Sequence, residues 1–334
     1  MTSLFGRFQR YFTIGVVSIL IIYFGLSGLF VLKASLTDFA CPGKDNLPTE
    51  WYFPDKIAAK ITLERYPMLD RTDWQLPSYQ TVVFKSKMPN VDISAWYTKI
   101  DRRAPVVIVV HGIRPNCKNA YESLLISGML ARGGINVLNI DLQNHGDSSK
   151  YSNFIAYGQR EYLDLLGAYD WLRSQGFQAN QIGLAGLSLG AVTSAIAFSK
   201  ETDIRAVWLD SPFSDFDSMF CYELNKLYLP CFFRFGVEWI GQLLLGISPN
   251  TILPIEAISD SPHRYIFLTH GMDDTRIPFS HAQTFLSLAQ SRNANIDVWF
   301  VEDSMHLEAM LQFPRTYQKK LVKFFKTRLA TVQS

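Results

Sequence analysis

Neither sign of charge predominates in this chain: 32 basic residues stand against 30 acidic ones, for a net charge of +2. That balance excludes a strong electrostatic pull on nucleic acid. There is also no basic stripe, no Walker loop and no glycine fingerprint of a dinucleotide site, so the nucleotide-binding classes have no foothold. Cysteine is scarce. Cys41, Cys117, Cys221 and Cys231 are the only four, and no pair has the close spacing of a zinc site. No internal repeat and no low-complexity tract is present, which excludes solenoid and propeller architectures.

Apolar material, by contrast, is ample. Of 334 residues 48% are hydrophobic and 14% aromatic, enough for one large core with an appendage. The appendage is at the N-terminus, where Tyr11 to Leu32 carries no charged residue. About 20 such residues cross the hydrocarbon of a bilayer as a helix. Arg7 and Arg10 precede the run and Lys33 follows it, a slight bias that favours the N-terminus in the cytoplasm and the bulk of the chain on the extracytoplasmic side. A cleaved signal peptide is the rival reading, but the run is long and lacks a clear small-x-small site. A soluble core helix is the third. In an exported chain four cysteines permit disulfides, with Cys221 and Cys231 the foremost pair and buried free thiols the alternative.

The division expected is an anchor over 1–33, a proline-rich connector over 34–78 and a main domain over 79–334. The connector offers one short helix, around Asp55–Arg65. Alternation at Gln80–Phe84 and Val91–Thr98 predicts an antiparallel hairpin at a sheet edge. Then the pattern changes. Pro105–Val110, Ile135–Ile140, Gln181–Ala185, Ile204–Leu209, Tyr265–Leu268 and Ile296–Val301 are short apolar runs, as strands covered on both faces must be. Helical periodicity follows most of them, over Asn119–Arg132, Ile155–Ser174, Ser188–Ser199, Pro278–Ala289 and Leu307–Leu329. Strands alternating with helices make an α/β fold, a mostly parallel sheet flanked by helices, with ligands beyond the carboxyl ends of the strands. The aromatic stretch at about 213–253 breaks the alternation. It predicts a helical insertion, either a lid or a segment that merely packs on the domain.

Gly186-Leu187-Ser188-Leu189-Gly190 sits between one of those strands and one of those helices. A strand, a G-x-S-x-G turn and a helix make a nucleophile elbow, in which glycines clear the space that a tight turn requires. Other residues extend the pattern: His111-Gly112 after a strand, Asp141 followed by Asn144-His145-Gly146-Asp147-Ser148, then Gly158, Glu161 and Asp164. Further on come His270-Gly271-Met272-Asp273-Asp274-Thr275-Arg276-Ile277-Pro278 and Met305-His306. On these residues, over roughly 80–330, the chain resembles the α/β-hydrolase superfamily, and within it prolyl-oligopeptidase-like and membrane-anchored abhydrolase-type serine hydrolases. Serine, acid and histidine follow one another in the order that superfamily uses.

The resemblance implies a Ser-His-Asp triad. Ser188 is the expected nucleophile, a hydroxyl that needs a base to attack at neutral pH. His306 is the expected base, on a loop beyond Ile296–Val301. Asp274 is the expected orienting acid, because the family pattern sets the acid four residues before a proline, here Pro278. Asp210, at the end of another strand, ranks second and the adjacent Asp273 last. The backbone N–H groups of Leu189 and Ile113 are the expected oxyanion hole. His111-Gly112-Ile113-Arg114 is not the triple-glycine form of some lipases, which argues against that subgroup. The remaining histidines organise loops or lie in other elements, and Arg114, Asn144 and Arg276 are rim residues, solvated or in reach of substrate.

The function expected is a membrane-anchored serine esterase acting on a small-molecule or lipid-like ester through an acyl-enzyme. No metal or organic cofactor and no nucleic-acid partner is expected. A prolyl-oligopeptidase-like peptidase, an acyltransferase and a catalytically silent interaction domain stay open.

Overall fold

The computed structural model describes residues 2–35, 41, 46–51, 66, 70–113, 117–246, 248, 250–259 and 261–330. The expected helix at Asp55–Arg65 lies outside the described residues, as does Arg114. The chain forms two compact units: Met1–Leu36 with Phe216–Thr251, and Thr37–Asp215 with Ile252–Ser334.

The larger unit is built on one eight-stranded sheet. Its strands are β1 (Gln80–Lys85), β2 (Asp92–Thr98), β3 (Val106–Val110), β4 (Asn136–Ile140), β5 (Ile182–Leu187), β6 (Ala206–Asp210), β7 (Tyr265–Gly271) and β8 (Asn295–Val301). They run in the order β1-β2-β4-β3-β5-β6-β7-β8. The expected hairpin β1–β2 is antiparallel, β2 is antiparallel to β4, and every pairing from β4 to β8 is parallel.

Why β3 is apolar at every position is plain from its packing. Val106, Ile108 and Val110 belong to one core cluster, Val107 and Val109 to another on the opposite side of the sheet. Each fully buried aliphatic side chain stabilises the fold by about 1.5–3 kcal/mol. Helices α3 (Tyr162–Ser174), α4 (Leu189–Lys200) and α7 (Ser280–Ser291) contribute to the first cluster. Helices α2 (Tyr121–Arg132) and α9 (Pro314–Arg328) contribute to the second, and α8 (Ala309–Gln312) adds to it. Strand β8 departs from the expectation of burial on both faces. It is the sheet's last strand, and Asn295, Asp297 and Val298 are exposed.

Two parts of the sequence that resisted assignment have definite places. Of the connector's described residues, Trp51, Tyr66, Trp74 and Leu76 lie in the second core cluster. Cys41 pairs with Cys117, a disulfide between residues 76 apart that spacing alone does not reveal. The insertion folds with the N-terminal helix α1 (Thr2–Ser35) as the smaller unit, through α5 (Phe216–Lys226) and α6 (Arg234–Leu245). Cys221 and Cys231 are paired there. At the insertion's two ends, Ser214 O accepts from Ile255 N at 3.2 Å, and the Gln159 amide brackets Ile252 with bonds of 2.6 and 3.2 Å.

Asp164 on α3 ties strand-edge loops together, accepting from Ser86 Oγ at 2.6 Å and from Gln143 N at 2.8 Å. Burial outweighs those bonds and pushes its carboxyl up to about 8. The unfolded chain titrates near 4, so the folded state holds the proton more tightly. Its contribution to stability is therefore full below about pH 4 and lost as pH rises toward about 8. Asp164→Asn removes this titration. Thermal melts should show wild type losing more midpoint temperature than the variant between about pH 5 and about pH 8; equal losses would contradict the assignment.

Candidate active site

Strand β5 delivers Ser188 to the carboxyl edge of the sheet, and α4 leaves immediately after it. Between them Ser188 takes φ 54° and ψ −116°, a conformation that L-residues avoid. Close packing enforces it. A Cβ on Gly186 would stand 2.2 Å from Gly190 O, and one on Gly190 would stand 2.2 Å from Val110 O and 2.5 Å from His111 O. Only glycine lets the start of α4 press against the end of β3. The Ser188 N–H donates to Asp210 O at 2.8 Å, which fixes the elbow to the neighbouring strand.

His306 stands between two partners. Its Nε2 is 2.9 Å from Ser188 Oγ, and its Nδ1 is 2.7 Å from Asp274 Oδ2. An ionised carboxylate only accepts, so Nδ1 carries the proton and Nε2 offers its lone pair to the serine hydroxyl. The three residues thus form one hydrogen-bonded chain, in the order that transfers a proton away from a hydroxyl.

The loops bearing His306 and Asp274 are fastened to each other. Met272 N donates to Val301 O at 2.8 Å and Asp273 N to Ser304 O at 3.0 Å. A Cβ on Gly271 would meet Ser304 O at 2.2 Å, so the two backbones touch where a side chain has no room. On the far side of His306, the Glu308 carboxylate accepts from Met305 N at 2.8 Å and from the Tyr66 hydroxyl.

Asp274 is buried, which by itself would raise its carboxyl. The contacts with His270 and His306 and the Ile277 N–H outweigh that and hold it well below the usual carboxylate range. Oδ1 accepts from Arg276 N and Ile277 N, each at 2.8 Å. His270 Nε2 lies 3.4 Å from Oδ2 and 2.9 Å from Ile277 O. Asp210 is engaged elsewhere. It accepts from Tyr317 OH at 2.7 Å and Ser211 Oγ at 3.0 Å, and burial pushes its carboxyl up to about 6. Tyr317 OH in turn accepts from Trp208 Nε1 at 2.9 Å. Asp273 is exposed, one residue from the site.

Leu189 is the first residue of α4, where a helix leaves its N–H groups without intrahelical partners. Ile113 follows β3 on the loop whose His111 carbonyl abuts Gly190. His111 organises that loop. Its Nδ1 meets Gly112 O at 2.7 Å, and its Nε2 accepts from Leu142 N at 3.1 Å. Burial and the adjacent His145 and Lys118 keep His111 neutral, far below the ordinary histidine range. Asn144 is neither solvated nor open to the rim. It is buried at φ 65°, accepting from Ser152 N at 2.7 Å and donating to Phe154 O at 3.2 Å. Arg276 is exposed.

His270, Tyr317 and Glu308 were not legible as site residues. His270 has one cue, its spacing of four from Asp274 across a turn, while Tyr317 reaches in from α9 and Glu308 lies in the turn just after His306, neither with a motif of its own.

Comparison with known proteins bears on the same residues. Residues 128–331 match the sequence profile of the prolyl oligopeptidase family. The uncharacterized protein YqkD of Bacillus subtilis (strain 168) is 24% identical over 265 residues, covering 78% of this chain and 81% of that protein. A probable isoprenylcysteine alpha-carbonyl methylesterase, ICME, of Oryza sativa subsp. japonica is 29% identical over 220 residues, 60% of this chain and 51% of that protein. Among solved structures, the Pyrococcus furiosus esterase Pf2001 superposes with a TM-score of 0.62 at 24% identity, covering 79% of this chain and 96% of that one, a likeness of fold.

The two carboxylates separate in mutagenesis. Asp274→Asn should lower turnover by about four orders of magnitude, with far-ultraviolet circular dichroism unchanged. Asp210→Asn, which keeps an acceptor for Tyr317, should leave most of the activity. A large loss confined to Asp210→Asn would exchange their roles.

Proposed function

We propose a function for a chain that belongs to the prolyl oligopeptidase family: it is a membrane-anchored serine hydrolase that cleaves ester bonds. The observation that carries this reading is the unbroken hydrogen-bond chain Ser188–His306–Asp274, at 2.9 and 2.7 Å.

In the proposed reaction Ser188 Oγ attacks the carbonyl carbon as His306 Nε2 takes its proton, and Asp274 stabilises the imidazolium. The negative charge that gathers on the carbonyl oxygen is met by the N–H groups of Leu189 and Ile113. One such donor is worth about 2.7–4 kcal/mol of barrier. The tetrahedral adduct collapses as His306 returns the proton to the departing alcohol. Water, deprotonated by the same imidazole, then releases the acid from Ser188.

Ester chemistry is favoured because the rice relative carries a methylesterase name and the Pyrococcus structural neighbour an esterase name. The family profile favours a second reading, a serine peptidase using the same triad. The anchor is α1, whose span Arg7–Ala34 is long and apolar enough to cross a membrane. Arg7 and Arg10 at its start argue for a cytoplasmic N-terminus and a catalytic domain outside the cytoplasm. Two disulfides suit that oxidising side.

The two enzyme readings part on substrate. A panel of p-nitrophenyl esters of graded acyl length, run beside aminoacyl and peptidyl p-nitroanilides, should show turnover of esters and little of the anilides. Anilide cleavage with no turnover of any ester would replace the esterase by a peptidase.

A further inference from the structure

The smaller unit carries a feature that neither the triad nor the anchor explains. Helix α6 has one face on α1 and another bare. On the packed face, Phe233, Val237 and Ile240 form a cluster with Phe30 and Val31 of α1 and Leu224 of α5. The ring of Tyr23 stacks on Phe232 and Phe233, its hydroxyl accepts from Gly236 N at 2.9 Å, and it donates to Phe232 O at 3.1 Å. The bare face is a stripe of Phe235, Trp239 and Leu243, which are 56, 58 and 64% exposed. A helix of a water-soluble domain does not turn such a stripe to solvent.

The charged residues of α6 gather beside its first turn, where the Arg234 guanidinium covers the ring of Phe235 at 4.1 Å and leaves Trp239 and Leu243 clear. Arg234 reaches Asp217 at 2.6 Å and Glu238 at 3.7 Å, and the Asn250 amide donates to Asp217 and Glu238 at 3.1 and 2.7 Å. They occupy a third side of the helix, where one guanidinium and one amide are shared between two carboxylates.

Depth identifies what covers the stripe. Tyr23 precedes Lys33, the charged residue that closes the apolar run, by ten positions, about 15 Å of helix. That is half the roughly 30 Å of a hydrocarbon core. If α1 crosses a bilayer, whatever packs on Tyr23, Phe24 and Ser27 lies at hydrocarbon depth. Trp239 does so, with its ring 5.3 Å from that of Phe24, itself exposed on α1. The apolar surface of the anchor therefore runs into the stripe of α6 without a polar break.

We propose that α6 is a second membrane-embedded element, a helix held beside the anchor with Phe235, Trp239 and Leu243 facing lipid acyl chains. The proposal rests on the reading of α1 as a membrane span. It makes the insertion a lipid-bound segment rather than a water-exposed lid.

The test uses the full chain reconstituted in phosphatidylcholine vesicles brominated along the acyl chains. Trp239 is the one tryptophan of the smaller unit; the other six lie in the larger one. Brominated lipid should quench part of the emission. That part should disappear in Trp239→Phe and grow in Leu243→Trp, with ester turnover retained in both variants. Carbonate extraction separates this proposal from the one beneath it. Protein released by carbonate would overturn the span and α6 with it. Protein retained by carbonate, with no quenching that depends on Trp239 or on Leu243→Trp, would overturn α6 alone. A stripe covered by a second copy of the chain would show that latter result.

Discussion

Strands β5, β7 and β8 end on one edge of the sheet, and the loops that leave them hold an imidazole between a hydroxyl and a carboxylate. The hold on His306 is the constraint that the rest of the larger unit serves. Ser188 is kept in a disfavoured backbone conformation by contacts that tolerate no side chain at Gly186 or Gly190. Asp274 is kept ionised by N–H groups of its own turn and by two histidines. The histidine loop is clamped from one side by the Gly271 turn and from the other by Glu308 and Tyr66. Strain and burial at these points cost stability, which the two core clusters on either side of the sheet offset.

Asp210 and Asp274 show how surroundings divide labour between similar groups. Asp210 ends β6, Asp274 lies on the turn that follows β7 at the same edge, and both are buried. Asp274 faces donors that favour its charge, including the imidazole it would have to stabilise. Asp210 faces a phenol and a hydroxyl, and its main-chain carbonyl rather than its side chain reaches Ser188. One carboxylate is suited to orienting a base, the other to bracing the elbow.

Most of this was legible from the chain itself, and the reasons are local. The elbow glycines, the apolar runs of the parallel strands and the His-Gly turns all declare themselves within a few residues. What stayed hidden depends on contacts between distant segments. Nothing in the spacing of Cys41 and Cys117 announces their disulfide. Trp51 and Trp74 sit in a stretch that reads as a linker, yet they fill the core against α2 and α9. The stretch at about 213–253 reads as an insertion rich in aromatics, but nothing in it alone reveals that its partner is the N-terminal helix. Asn144 reads as a polar rim residue, and only its bonds to Ser152 and Phe154 show it to be an internal brace.

In the proposed mechanism Ser188 is a hydroxyl made nucleophilic by the imidazole beside it. A fluorophosphonate probe reads that property directly, because it reacts with an activated serine and not with an ordinary one. The folded protein should label at a single site, mapped by peptide mass spectrometry to Ser188, and labelling should vanish in both Ser188→Ala and His306→Ala with circular dichroism unchanged. A folded wild-type protein that never labels, or one labelled at another serine with Ser188 intact, would contradict the account.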